Sequence, residues 1–337
     1  MNRRESAVAL LAIAACASPR AIRAQTQPGR EPYRIALVPD FIPAWDPLLK
    51  LFTSAMVEHG HVEGRDYVLI RTGSSFGPDT QQALERALQA RPHLLLTMSL
   101  GYAVAARQRT KTIPVVMWVS GFPIEGGVAE SLARPGGNVT GLTIYAGGEI
   151  FGKLVQMVHE VKPGIKRIGA LMSYVPPFHP RAETDLIVDG MRSAARLLGA
   201  DVRIYEIAKP EQVDDALASV AKDAVEALVL TQGPSMFVRR NDIMRFVVER
   251  RLPTIADTGW ESAGDPQPLL VYEADFGTLI QQAVPYVDKI LWRGAKPGEL
   301  PIQLPARFAF TVNQKTAKSI GLTVPRSILL RADQVIE

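Results

Sequence analysis

Two successive runs of alternating strand and helix patterns constrain this chain of 337 residues more than any other feature. The first run reads as strand Ile35 to Val38, helix Pro47 to Gly60, strand Tyr67 to Arg71, helix Asp79 to Ala90, strand Leu94 to Met98, helix Tyr102 to Arg109, strand Pro114 to Val119, and a short strand Val139 to Leu142 behind the Pro135-Gly136-Gly137 turn. The pattern then begins again with helix Glu149 to Val161, strand Arg167 to Met172, helix Arg181 to Leu198, strand Val202 to Ile207, helix Glu211 to Lys222, strand Ala227 to Leu230, helix Met236 to Arg251 and strand Thr254 to Ala256. Leu269 to Tyr272 reads as one more strand, and the tail after it is too small for a third domain. Apolar strands that alternate with helices form parallel sheets covered on both faces. Two such units, at roughly 100–200 residues per domain, define an α/β protein with two doubly wound, Rossmann-like lobes.

The first 24 residues have the layout of a secretory leader. Arg3 and Arg4 form a positive start, Ala7 to Ala17 an apolar core, and Ser18-Pro19 a helix break, with Ala24 a small residue before the expected junction at Gln25. Two other readings compete: Ile13-Ala14-Ala15-Cys16 as a lipobox that would acylate Cys16 and anchor the protein, and Arg3-Arg4 as a twin-arginine signal, which lacks bulky apolar residues after the pair. The leader holds four arginines and one glutamate, so its removal takes the formal charge from +4 to +1. A chain that close to neutrality offers no basic surface for nucleic acid. Cys16 is the only cysteine; cleavage after Ala24 would exclude disulfides, thiol nucleophiles and thiolate metal sites. No run of about 18 apolar residues marks a membrane span.

Ligands of open α/β sheets bind beyond the carboxyl ends of the strands. In the first unit those positions hold Asp40, Phe41 and Trp45, then Ser99 and Tyr102, then Ser120, Gly121 and Phe122. In the second they hold Ser173, Tyr174 and Phe178, then Gln232 to Ser235 with Gly233, then Asp257, Trp260 and Glu261. Ser99 and Ser120 stand between a strand and a following turn or helix, where free N–H groups and a hydroxyl suit a ligand carboxylate; the competing role for Ser99 is capping its own helix. Trp45 and Trp260 could stack on a flat ligand or pack in the core, while Trp118 sits inside an apolar strand. Asp40, Asp257 and Glu261 could pair with a ligand ammonium or be solvated loop acids. The five histidines are scattered, and no GxSxG, P-loop or GxGxxG follows a strand, so neither catalysis, a metal nor a cofactor is expected.

Two long motifs carry a family resemblance. "LARPGGNVTGLT" spans Leu132 to Thr143, and "YVDKILWRGAKPGELPIQLPARFAF" continues from Tyr286 into "TVNQKTAKSIGLTVPRSILLRADQVIE" at the end of the chain. From about Tyr33 to Glu337 the chain resembles the substrate-binding proteins of ABC transporters that include the tryptophan-binding type. The resemblance implies a type I periplasmic binding fold with three crossings between lobes, near Tyr145, Pro268 and Pro301. It divides the chain into a signal peptide at 1–24, a first lobe of 33–145 plus 269–298, and a second of 146–268 plus 299–337. It also implies a monomeric, periplasmic protein without enzymatic activity that captures a small carboxylate-bearing, aromatic amino-acid-like ligand for a permease and its ATPase. Relatives typically carry an acid before a proline where this chain has Phe122, which would suit a less polar ligand. A periplasmic sensor for a receptor kinase would use the same fold, and a secreted α/β enzyme would need a convergent acid-base pair.

Overall fold

The computed structural model describes residues 31–39, 46–72, 80–145, 147–175, 180–231, 233–257, 260 and 266–337. The first sheet holds β1 (Tyr33–Val38), β2 (Tyr67–Arg71), β3 (Leu94–Thr97), β4 (Val115–Met117) and β5 (Val139–Gly141) in the order β2-β1-β3-β4-β5. Every pairing in it is parallel. Helices α1 (Asp46–Glu58), α2 (Thr80–Gln89) and α3 (Leu100–Arg109) connect its strands. A strand such as β3, with the sequence LLLT and all four residues buried, is what a sheet covered on both faces requires. Each fully buried leucine there contributes about 1.5–3 kcal/mol relative to an exposed one.

The second sheet repeats that order. Its strands β6 (Arg167–Ser173), β7 (Asp201–Ile207), β8 (Ala227–Leu230), β9 (Thr254–Ala256) and β10 (Leu270–Ala274) run β7-β6-β8-β9-β10, and β11 (Phe308–Asn313) and β12 (Gln334–Ile336) extend the far edge. Only the β10/β11 pair is antiparallel. The helices after β5 are α4 (Glu149–Val161), α5 (Arg181–Leu197), α6 (Val213–Lys222), α7 (Pro234–Val238), α8 (Arg240–Glu249), α9 (Phe276–Leu291), α10 (Gln314–Ser319) and α11 (Arg326–Leu329). The single helix expected over Met236 to Arg251 is divided at Arg239, whose guanidinium is held by Asp242, Asp214 and the Pro210 carbonyl.

The fifth strand of each unit hands its following helix to the other half. After β5 the chain enters α4, which packs on α5, β8 and β9 of the second sheet. After β10 it enters α9, which packs on α1 and β4 of the first. The strand expected at Leu269 to Tyr272 in the first lobe therefore lies in the second sheet. Its backbone pairs Leu270 with Ile255 on one side and with Val312 on the other, so removing it would leave β11 and β12 without a template. The crossing expected near Pro268 accordingly falls at Asp275, which caps α9 by accepting from the Thr278 N–H at 3.1 Å. The crossing expected near Pro301 falls later too. Ile302 donates to the Leu132 carbonyl and Gln303 to the Gly141 carbonyl, holding this stretch against β5 until the chain leaves for β11.

The first passage, at Tyr145, is buried. One apolar cluster runs from Leu94 and Leu96 in the first sheet through Leu142, Ile144, Tyr145 and Phe151 to Ile168 and Ala170 in the second. Beside this passage α4 and α5 meet backbone to backbone, since a Cβ on Gly190 would run into the Gly148 carbonyl and one on Gly148 into the Leu186 carbonyl. This contact sets the position of the first turn of α5.

Candidate functional site

The passage between the sheets is zipped by backbone bonds. Ile144 donates to the Ser120 carbonyl at 2.7 Å and Phe122 to the Tyr145 carbonyl at 3.1 Å, so the loop after β4 and the chain after β5 move as one piece. Phe122 is fully buried with a φ of 47°, a left-handed conformation that a bulky residue adopts only when its surroundings impose it. Its ring lies 5.9 Å from Tyr145 and 6.3 Å from Phe151, and those two lie 4.9 Å from each other. The three rings form an aromatic wall between the sheets.

Behind this wall lies a small cavity bordered by Tyr145, Phe151, Ser173, Glu183, Thr231 and Asp257, among others. Asp257, 3% exposed after β9, accepts a 3.1 Å hydrogen bond from the Tyr145 hydroxyl. Glu183 comes from the first turn of α5 and reaches the first half of the molecule. A Cβ on Gly121 would stand 3.2 Å from the Tyr145 ring and 3.4 Å from Glu183 Oε1. The buried Oε2 of Glu183 has no hydrogen-bond partner among the described residues. Burial, and secondarily the charge of Glu125 in the loop after β4, push its carboxyl up to about 8 from an ordinary 4.5. The hydroxyl of Ser173 at the end of β6 is likewise buried without a partner. No lysine, arginine or histidine borders the cavity among the described residues.

The residues expected to line a site separate into three groups. Asp257 lines the cavity, whereas Gly121 and Phe122 stand behind the Tyr145 ring and do not border it. Ser120 is buried, with no partner for its hydroxyl among the described residues, and does not border the cavity. Others are committed to structure. Ser99 caps α3 by accepting from the Tyr102 N–H at 3.4 Å, and Tyr102 is fully buried in the core on the outer face of the first sheet. Trp260 packs in the core of the second. Tyr174 lies beneath the Arg181 guanidinium at 3.8 Å, while that guanidinium grips Glu206 with two hydrogen bonds. Gly233 has a steric task, because a Cβ there would overlap Ser173. Asp40, Trp45 and Glu261 lie outside the described residues.

Glu183, Phe151 and Thr231 were not expected in the site. Thr231 directly follows β8 and was within reach of the strand-end rule, whereas Glu183 and Phe151 sit inside helices α5 and α4, which pack closely at Gly148 and Gly190. Among the described residues no three histidine, cysteine or acidic side chains converge as a metal site would require, and no helix is long and apolar enough to cross a membrane.

The doubly wound lobes, joined by exchanged helices, are the architecture of type I periplasmic binding proteins. The sequence profile described as "ABC transporter substrate binding protein" matches residues 50–336, and the chain belongs to that family. A tyrosine-binding protein of Clostridioides difficile (strain R20291) is 23% identical over 282 residues, 83% of this chain and 78% of that protein. Among solved structures, an ABC domain in complex with L-Trp from Streptococcus pneumonia superposes with a TM-score of 0.77 at 20% identity, covering 91% of this chain and all of that one. A conserved domain protein from Vibrio cholerae superposes with a TM-score of 0.80 at 21% identity, covering 90% of this chain and 100% of its own.

Proposed function

We propose that this protein is the extracytoplasmic, non-enzymatic binding component of an ABC importer, exported by its leader, and that it captures a small aromatic amino-acid-like ligand between its two lobes and delivers it to a permease. The observation that carries this reading is the cavity at the passage, where aromatic rings meet two buried polar groups, Glu183 Oε2 and the Ser173 hydroxyl, that have no partner among the described residues. Buried polar atoms left without partners are costly and are expected where a ligand supplies what is missing. The Tyr145 and Phe151 rings offer a flat apolar body their surface, and Ser173, whose hydroxyl has no partner among the described residues, offers a hydroxyl to its polar end. The tyrosine and tryptophan named for relatives point to the same ligand size.

Three passages of chain near Tyr145, Asp275 and the stretch before Phe308 would serve as the hinge. Contacts made from both sides give the ligand a higher affinity for the closed form, which is what shifts the population. Native mass spectrometry of protein purified without refolding, followed by small-angle scattering with the recovered compound, tests this. A retained aromatic amino acid and a smaller radius of gyration on binding are the expected results. A tight ligand that leaves the scattering curve unchanged would defeat capture between lobes.

A further inference from the structure

We propose that Glu183 is a ligand-selecting residue: reaching from α5 to the underside of Gly121 and sharing one cavity with Asp257 and Tyr145, it forms a subsite for a cationic nitrogen, an ammonium group carried on a flat apolar body. The proposal deepens the preceding reading and rests on the cavity being the ligand site.

Among the described residues the cavity has no positive charge. Glu183 and Asp257 both border it, and no lysine, arginine or histidine does so among the described residues. The charged and titratable groups facing Glu183 from the elements packed around it are Glu125 after β4, Asp257 after β9 and the Tyr145 hydroxyl after β5. None is a cation. The nearest cation on its own helix, Arg181, is committed to Glu206 and stacked on Tyr174. A buried carboxylate oxygen without a donor is one of the costliest states in a protein interior. A carboxylate or other anion placed here would add like charge to that cost, whereas a cation removes it.

The remaining chemistry fits an ammonium in particular. Such a group has three donors, and the cavity offers three acceptors of suitable kind: Glu183 Oε2 and the Ser173 hydroxyl, neither with a partner, and the Asp257 carboxyl. Thr231 donates its own proton to the Leu171 carbonyl at 3.4 Å, so its hydroxyl oxygen faces a ligand as an acceptor. Phe151 and Tyr145 add ring faces, which attract cations and cover apolar groups. In the empty site a proton on Glu183 fills the missing role, in keeping with its raised pKa. A bound ammonium would displace that proton.

Calorimetry at neutral pH with matched probes tests the assignment. L-Tryptophan and L-tyrosine carry both ammonium and carboxylate, tryptamine and tyramine only the ammonium, and indole-3-propionate only the carboxylate. The ammonium-bearing probes should bind, and indole-3-propionate should bind at least tenfold more weakly than L-tryptophan. Glu183→Gln should erase that preference by weakening the ammonium-bearing probes, L-tryptophan included, about ten- to a hundredfold, and Glu183→Asp should restore part of it. The melting temperature of each variant, taken in parallel, separates loss of selection from loss of fold. If the amines bind and the amino acids do not, the Glu183 subsite stands and the carboxylate-bearing ligand proposed above falls. If the amino acids bind wild type and Glu183→Gln equally, or indole-3-propionate matches L-tryptophan, the subsite falls while capture stands. Failure of all four ammonium-bearing probes to bind the wild-type protein overturns the assignment.

Discussion

The Tyr145 hydroxyl donates a 3.1 Å hydrogen bond to Asp257 Oδ2 across 112 residues of sequence, linking the chain as it leaves the first sheet to the end of β9 in the second. Both residues are buried, at 7% and 3% exposure, so the bond works in a medium where an unpaired carboxyl is expensive. Tyr145→Phe keeps the ring among Phe122 and Phe151 and removes only the donor. It should lower stability by about 1–3 kcal/mol, the cost of leaving a buried group less well satisfied. A shift of the urea midpoint at constant slope would register this; an unchanged midpoint would mean that the bond does not hold the passage.

The Gly148 and Gly190 contact is equally open to test. Gly190→Ala places a methyl on the Gly148 carbonyl, backbone against backbone, so neither side can give way by turning a side chain. Overpacking of this kind costs about 1–3 kcal/mol or more, and here it should also displace the first turn of α5 and with it Glu183. Gly277→Ala, at the start of α9, is the control. Its added methyl meets nothing nearer than 3.4 Å, and replacing a helical glycine should stabilise by up to about 1 kcal/mol. Opposite signs in thermal melts of the two variants are the expected outcome.

The repeated strand and helix pattern was legible because a strand buried on both faces is written as an unbroken apolar run, as in Leu94 to Leu96, and because helices such as α4 carry a clean apolar stripe. Pairing was not legible. Nothing in Leu270 to Ala274 states which sheet the strand joins, since that depends on the Ile255 and Val312 backbones meeting it from distant parts of the chain. The same limit explains the site. Asp257 follows a strand and lay within reach of that rule, whereas Glu183 stands in the first turn of a helix, where that rule does not look. Ser99 and Trp260 show the converse: residue types suited to ligands that here cap a helix and pack in a core.

At the other end of the first sheet, His61 and Asp288 form a buried 2.8 Å pair, with Trp292 stacked on the imidazole at 3.6 Å and Arg293 bonded to the second Asp288 oxygen at 2.7 Å. This cluster fastens the end of α9 to the turn after α1, and so holds the exchanged helix in place. His61→Ala should cost about 1–3 kcal/mol, less than a fully orphaned buried charge because Arg293 still serves Asp288. Denaturation followed by tryptophan fluorescence would measure it. The same substitution should leave ligand affinity unchanged, since none of these residues borders the cavity.

The raised carboxyl of Glu183 sets a direction for pH. Its value in the buried arrangement, about 8, lies above the ordinary 4.5, so protonation favours that arrangement. The contribution is fully present below about pH 4.5 and is lost as pH rises through the interval to about 8, where the buried carboxylate must ionise without a partner. Without ligand, the wild-type protein should therefore lose stability across this window relative to Glu183→Gln, which carries no titrating group there. Urea midpoints of both proteins taken from pH 5 to pH 9 give the comparison, and the difference between them cancels the titration of all other shared groups. The difference should grow with pH and level off above about pH 8. A ligand bearing an ammonium group should flatten it by supplying the missing charge. If the two proteins show parallel pH profiles, Glu183 is not buried in the empty protein in solution, and its proton plays no part in closing the site.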